Sequence, residues 1–235
     1  VAQQRIDRAV AVIPIQQTDS LARLTIAGRS VLDGTVRALR AVAQVGPIVL
    51  AIEGDGARAC LSVIENPGAL DLRVVEVAGS RWQTIRAALT EAGDSASVLI
   101  QDPDRPLVSP AGIRRLLEEW RGREAIVTAL PVFSSIKRVV NGRVVTTVPR
   151  DTLHAAQSPW VFDRSRLEAA LDSAIRDGWP IGQELELARR AGIAVHLAEG
   201  HPYNVPIATH ADARFAEMAL ERRLVAIPGG AAVPA

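Results

Sequence analysis

Apolar runs rich in valine and isoleucine alternate with stretches of helical period along most of the chain, and this alternation constrains the fold more than any other feature. AVAVIP (9–14), PIVLAIE (47–53), LRVVEV (72–77), SVLIQD (97–102) and EAIVTALPV (124–132) read as strands. Most are too continuously apolar to have one face in water, which is the signature of a parallel sheet covered on both sides. Helix-like segments lie between them near 30–44, 56–64, 80–92 and 109–120. The last of these has a start signal, because Ser109 can accept from free backbone N–H groups and Pro110 sits in the first turn. The pattern predicts an α/β domain with a doubly wound, mostly parallel sheet. Such sheets bind ligands at the carboxyl ends of their strands, so the loops after residues 14, 53, 77 and 102 are where a site is expected.

The rhythm changes at SIKRVVNGRVVTTVPR (135–150), where Asn141-Gly142 stands between two β-branched runs. Both central residues of a type I′ turn need positive φ, which Asn and Gly tolerate, so a two-stranded hairpin is predicted. Its flanks are polar and short, and it reads as an arm protruding from the domain over residues 134–158. An isolated hairpin is marginal in water. The arm is therefore expected to pack against the same arm of a second subunit, the alternative being a hairpin folded flat on its own domain. SPWVF then returns to a strand, 164–177 and 182–191 read as helices, IAVHLAEG (193–200) as a strand and 210–225 as an amphipathic helix. One domain over residues 1–226 is expected, with a disordered Gly/Pro/Ala tail over 227–235.

Charge and cysteine content exclude several function classes. With 27 basic and 26 acidic side chains in 235 residues the net charge is +1, so nothing favours a nucleic-acid binder. Cys60 is the single cysteine, which leaves no internal disulfide and no thiol cluster for zinc and fits a reducing, cytoplasmic setting. No apolar run approaches the roughly 18 residues of a membrane helix, and no membrane association is expected. His154, His196, His201 and His210 lack metal-ligand spacing, and no G-x-S-x-G elbow is present.

At SVLIQDPDRPLV (97–108) a strand ends in Asp102, with Arg105-Pro106 three residues on. This resembles the D-x-x-R-P segment of 2-C-methyl-D-erythritol 4-phosphate cytidylyltransferases. The likeness continues through LPVFSSIKRV (130–139), VPRDTLHAAQSPWVF (148–162) and GIAVHLAEGHPYNVPIATHADARFAEMAL (192–220), and upstream through LTIAGRSVLDGTVRAL (24–39) and SRWQTIRAAL (80–89). The resemblance implies a Rossmann-like fold of the nucleotide-diphospho-sugar-transferase type, with a β-arm that makes a homodimer. The activity it implies is Mg²⁺-dependent transfer of CMP from CTP to methylerythritol phosphate, in isoprenoid precursor synthesis. Chemistry of that kind relies on charge neutralisation and in-line positioning.

Residue by residue, the resemblance places Asp102 at the metal-binding Asp and Arg105 at an Arg near the methylerythritol phosphate, both assigned to catalysis. Pro14, Arg81 and Thr84 fall at nucleotide-binding positions. Ser135, Arg150 and Ser158 match a hydroxyl–Arg–hydroxyl set for the phosphate of the polyol substrate, a combination suited to a phosphate dianion. Each position also has a plainer reading: Asp102–Arg105 as an ion pair in a turn, Ser135 and Ser158 as surface hydroxyls, Arg150 as a stem packed on the arm.

The triphosphate end departs from the family. Its glycine-rich first loop is replaced by Ile15, Gln16, Gln17, Thr18 and Asp19, with only Pro14 kept. Glycines let backbone N–H groups approach phosphate oxygens and adopt positive φ, which glutamines do not do cheaply. The family's C-terminal Asp and Lys become Tyr203 and Pro206, and of its Thr-Asp-Glu only Glu184 remains, in GQE (182–184). Asp102 alone makes a weak Mg²⁺ site. Two readings follow: a cytidylyltransferase with impaired or lost CTP and Mg²⁺ binding, or a non-catalytic dimeric paralogue that binds a nucleotide or a sugar or polyol phosphate and serves in regulation.

Overall fold

The computed structural model describes residues 8–16, 24–180, 182–222 and 224–225. In chain order the elements are β1 (Ala9–Ile15), β2 (Thr25–Ile26), β3 (Arg29–Ser30), α1 (Val31–Arg40), β4 (Val45–Glu53), α2 (Ala57–Ser62), β5 (Leu72–Val77), α3 (Arg81–Glu91), β6 (Ser97–Ile100), α4 (Pro110–Trp120), β7 (Ala125–Pro131), β8 (Ile136–Val140), β9 (Arg143–Val148), β10 (His154–Asp163), α5 (Arg164–Arg176), α6 (Glu184–Arg190), β11 (Val195–Glu199) and α7 (His210–Glu221). A seven-stranded sheet runs β11-β7-β10-β6-β1-β4-β5. Strand β10 is antiparallel to β6 and β7, and the other pairings in the sheet are parallel. The mostly parallel, doubly wound α/β sheet expected from the strand pattern is thus what forms.

Strand β1 shows why the fold is two-sided. All its residues are buried, and successive side chains enter opposite cores. Ala9, Ala11, Ile13 and Ile15 pack with Leu32, Val36 and Leu39 of α1 and with Ile113 and Leu116 of α4. Val10 and Val12 pack with Trp82, Ile85 and Leu89 of α3 and with Leu167 and Leu171 of α5. Burying one such aliphatic side chain stabilises the fold by about 1.5–3 kcal/mol, so a continuous Val/Ile run is stable only between two helix layers.

Pro14 sits inside this central strand without breaking it. The Val12 carbonyl accepts from Gln101 N at 3.0 Å, so even-numbered β1 residues turn their backbone polar groups towards β6. The β1–β6 pairing ends at Val12–Ile100, and at Pro14 a ladder N–H would find no strand to bond, which removes the usual objection to proline in a sheet.

Helix starts follow their caps. Ser109 accepts from Gly112 N at the head of α4, with Pro110 in the first turn, and Ser80 and Gln83 form a capping box on α3. The hairpin β8–β9 turns through Asn141 (φ 48°) and Gly142 (φ 76°). Its residues are exposed along nearly its whole length, so it stands off the domain and does not lie flat on it. The small β2–β3 hairpin was not expected; it turns on Ala27 and Gly28, both at positive φ. The first expected helix ends at Arg40, earlier than 44, because Val45 already belongs to β4. The expected disorder of 227–235 and loop residues Gln17, Thr18 and Asp19 lie outside the described residues. Among the described residues no helix is long and apolar enough to cross a membrane.

Candidate active site

A cavity of about 370 Å³ opens at the carboxyl end of the sheet, lined in part by Gln16, Arg81, Asp102, Arg105, Ser158 and Glu184. Its walls come from the segments after β1, β5 and β6, as the sheet rule predicts, and from β10 and the start of α6. The segment after β4, beyond residue 53, does not line it.

Asp102 lies just past β6. Its Oδ2 is 3.2 Å from Arg105 Nε, with the Asp102 side chain 38% exposed and that of Arg105 12%. Arg105 Nη1 also donates to the Asn204 carbonyl at 2.6 Å, so the arginine joins the loop after β6 to the loop after β11. Ser158 is buried on β10, and its Oγ accepts from the Asp102 amide at 3.1 Å and from Gln101 Nε2 at 2.9 Å. Across the cavity Arg81, the first residue of α3, meets Glu184, the first residue of α6, with Nη2–Oε1 at 2.6 Å and Nε–Oε1 at 3.2 Å.

A second layer of buried polar groups holds these residues. Gln157 Nε2 donates to the carbonyls of His201 and Asn204, and its Oε1 accepts from His201 N. Asn204 Nδ2 donates to the Ser158 carbonyl at 2.7 Å. Gly200 is required by this packing, since a Cβ there would lie 2.4 Å from Gln157 Oε1 and 3.0 Å from the Ala129 carbonyl oxygen. The turn 200–204 is thereby stitched to β10, which fixes the carbonyl that receives Arg105.

Of the residues singled out in the sequence, Asp102, Arg105, Arg81 and Ser158 come together in this cavity. Asp102 and Arg105 do form the ion pair of the plainer reading while both line the cavity, whereas Ser158 is not a surface hydroxyl. Thr84, expected at a nucleotide-binding position, is buried in α3, its hydroxyl donates to the Ser80 carbonyl at 3.0 Å, and it does not line the cavity. Pro14 is likewise buried within β1 and does not line the cavity. Ser135 and Arg150 belong to the exposed arm; Arg150 donates to the Phe133 carbonyl, and neither residue lines the cavity of its own chain. Gln101, Gln157 and Asn204 were missed as site residues. Polar residues closing an apolar run, as Gln101 does in SVLIQD, were the available signal.

The charges lining the cavity balance: Arg81 and Arg105 are each paired with a carboxylate, Glu184 and Asp102 respectively. On the outer side of α6, Glu186 is held down to about 2 by hydrogen bonds from Arg189 and then Arg190. For a divalent cation the donor set is sparse. Among the described residues no cluster of three or more His, Cys, Asp or Glu could hold a metal. Asp102 is the carboxylate with accessible oxygen, Glu184 being committed to Arg81.

Comparison with known proteins gives this arrangement its context. The family model described as 2-C-methyl-D-erythritol 4-phosphate cytidylyltransferase (IspD) matches residues 13–222. A protein of that name from Acidobacterium capsulatum is 33% identical over 207 residues, covering 85% of this chain and 87% of its own. One from Cereibacter sphaeroides is 34% identical over 207 residues, covering 87% and 88%. The crystal structure of the cytidylyltransferase from Thermus thermophilus superposes with a TM-score of 0.74 at 26% identity, over 90% of this chain and 98% of that one. Sequence and fold agree across almost the whole length, and the chain belongs to the 2-C-methyl-D-erythritol 4-phosphate cytidylyltransferase family.

Proposed function

We propose that this protein transfers a cytidylyl group from CTP to 2-C-methyl-D-erythritol 4-phosphate, with CTP and Mg²⁺ held weakly. The observation that carries this reading is the convergence of Asp102, Arg105, Ser158 and Arg81 in one cavity at the carboxyl end of the sheet. Arg105 and Ser158 supply a cation and a hydroxyl to phosphate oxygens, as attack on a phosphorus centre requires. Asp102 fits Mg²⁺ as a single carboxylate, with substrate oxygens and water completing the shell. When bound there, the cation would neutralise charge on the phosphates.

The arm belongs to the same reading. Val139, Val140, Val144 and Val145 are each more than half exposed on it, at 53%, 51%, 63% and 55%. A second copy packed arm to arm covers these side chains and supports a homodimer. Ser135 and Arg150 then serve the polyol phosphate from the dimer.

A second reading has its own support. Both cavity arginines are already neutralised by carboxylates, and the family's Asp and Lys positions are Tyr203 and Pro206. In this reading the protein is a dimeric, non-catalytic binder of phosphorylated small molecules. The test is product formation: chromatography and phosphorus NMR of a reaction holding CTP, methylerythritol phosphate and Mg²⁺. Cytidine diphosphate-methylerythritol and pyrophosphate in equal amounts support transfer. Binding of methylerythritol phosphate without any product supports the non-catalytic reading.

A further inference from the structure

Ser158 Oγ accepts two hydrogen bonds, from the Asp102 amide and from Gln101 Nε2. The orientation of the Gln101 amide is fixed by chemistry. The same nitrogen lies 3.1 Å from the Asp102 carbonyl oxygen, an obligate acceptor, so the atom at that position must carry hydrogen. A hydroxyl offers two acceptor sites and one proton. Both acceptor sites of Ser158 are filled by protein donors, while its proton meets no acceptor among the described residues. Ser158 can act on a ligand only as a donor.

Stability alone does not account for this glutamine. Gln101 is 0% exposed and its Oε1 has no hydrogen-bond partner among the described residues, a desolvation cost that an apolar side chain of similar size would avoid. We propose that Gln101 is a positioning residue: together with the Asp102 amide it commits Ser158 to donating its proton, which makes this end of the cavity select ligand oxygens with free lone pairs, phosphate above all, over groups that themselves donate. This rests on the reading that the cavity takes methylerythritol phosphate.

The test is a double-mutant cycle read by calorimetry on the full chain, with Mg²⁺ and CMP present so that no turnover occurs. The probes are methylerythritol 4-phosphate and, separately, inorganic phosphate. Gln101→Met and Ser158→Ala are each expected to weaken methylerythritol phosphate about tenfold, the scale of one hydrogen bond to a charged group. The double variant is expected to bind no more weakly than Ser158→Ala alone, and CMP affinity is expected to stay unchanged. A general loosening of the strand end would weaken CMP and phosphate together, and additive losses in the double variant would likewise overturn the proposal. If wild-type protein ignores methylerythritol phosphate but binds inorganic phosphate with the same pattern among the variants, the functional reading fails and this inference stands. If neither probe binds, both fail.

Discussion

Replacing Glu184 by alanine strips the ion pair that closes the cavity between α3 and α6. The pair is short and shielded: Nη2–Oε1 is 2.6 Å, and the Arg81 and Glu184 side chains are 13% and 5% exposed. Removing one partner of a buried pair costs roughly 3–5 kcal/mol, because the survivor keeps its desolvation cost without its counter-charge. Arg81 has a further contact besides Glu184, which places the expected loss at the lower end, about 3 kcal/mol. For a chain of this size that lowers Tm by roughly 6–12 °C. Glu184→Gln keeps the shape and an acceptor, and should fall between wild type and alanine. Changing both partners, Arg81→Met with Glu184→Leu, should recover most of the stability, since two well-packed apolar groups need no counter-charge. Thermal and guanidinium unfolding of the four proteins measure this directly. A Tm for Glu184→Ala within about 2 °C of wild type, against the per-kcal scale above, would refute the claim that this pair holds the cavity wall.

Asp102→Ala should abolish transfer while unfolding and light scattering remain those of wild type; an unchanged rate would remove Asp102 from the metal-binding role. Deleting 138–147 takes away the exposed valines and the Asn141-Gly142 turn; on the proposed arm-to-arm homodimer, light scattering should read a dimer for the intact chain and a monomer for the deletion, whereas the same dimer in both would mean that the arm faces something else. Gly200→Ala forces a Cβ to 2.4 Å from Gln157 Oε1 and should destabilise by about 1–3 kcal/mol, measured by chemical unfolding. Glu186, whose folded carboxyl is lowered from 4.5 to about 2 by Arg189 and Arg190, contributes stability above its unfolded pKa that is lost as pH falls towards 2. Glu186→Gln should therefore flatten the acid side of the stability profile between those values, and an identical profile would contradict the pairing.

The strands were legible because burial on both faces leaves an unbroken Val/Ile run, and the arm because Asn141-Gly142 suits a left-handed turn. The β2–β3 hairpin escaped notice because Ala27 is not a residue that advertises positive φ. Within the site, Asp102 and Arg105 were legible from one short motif, since three residues in a turn stay close in space. Thr84 was matched by residue type without the helix face: it lies beside Ile85 and four residues before Ala88, both fully buried on the stripe of α3 that packs on the sheet. Ser135 and Arg150 were matched to a phosphate set by their order along the chain, but order along the chain does not say which cavity an exposed arm can reach. Gln101 and Gln157 were given no site role because their roles depend on contacts with residues far along the chain, at 158 and at 201–204.

The weak-nucleotide cytidylyltransferase is tested most directly by steady-state pyrophosphate release over CTP concentrations from micromolar to several millimolar, with and without Mg²⁺ and methylerythritol phosphate. The rate is expected to need all three components and to reach half-saturation only near or above about 1 mM CTP, close to −4 kcal/mol of binding. Saturation in the micromolar range, or no release at any concentration, would contradict it.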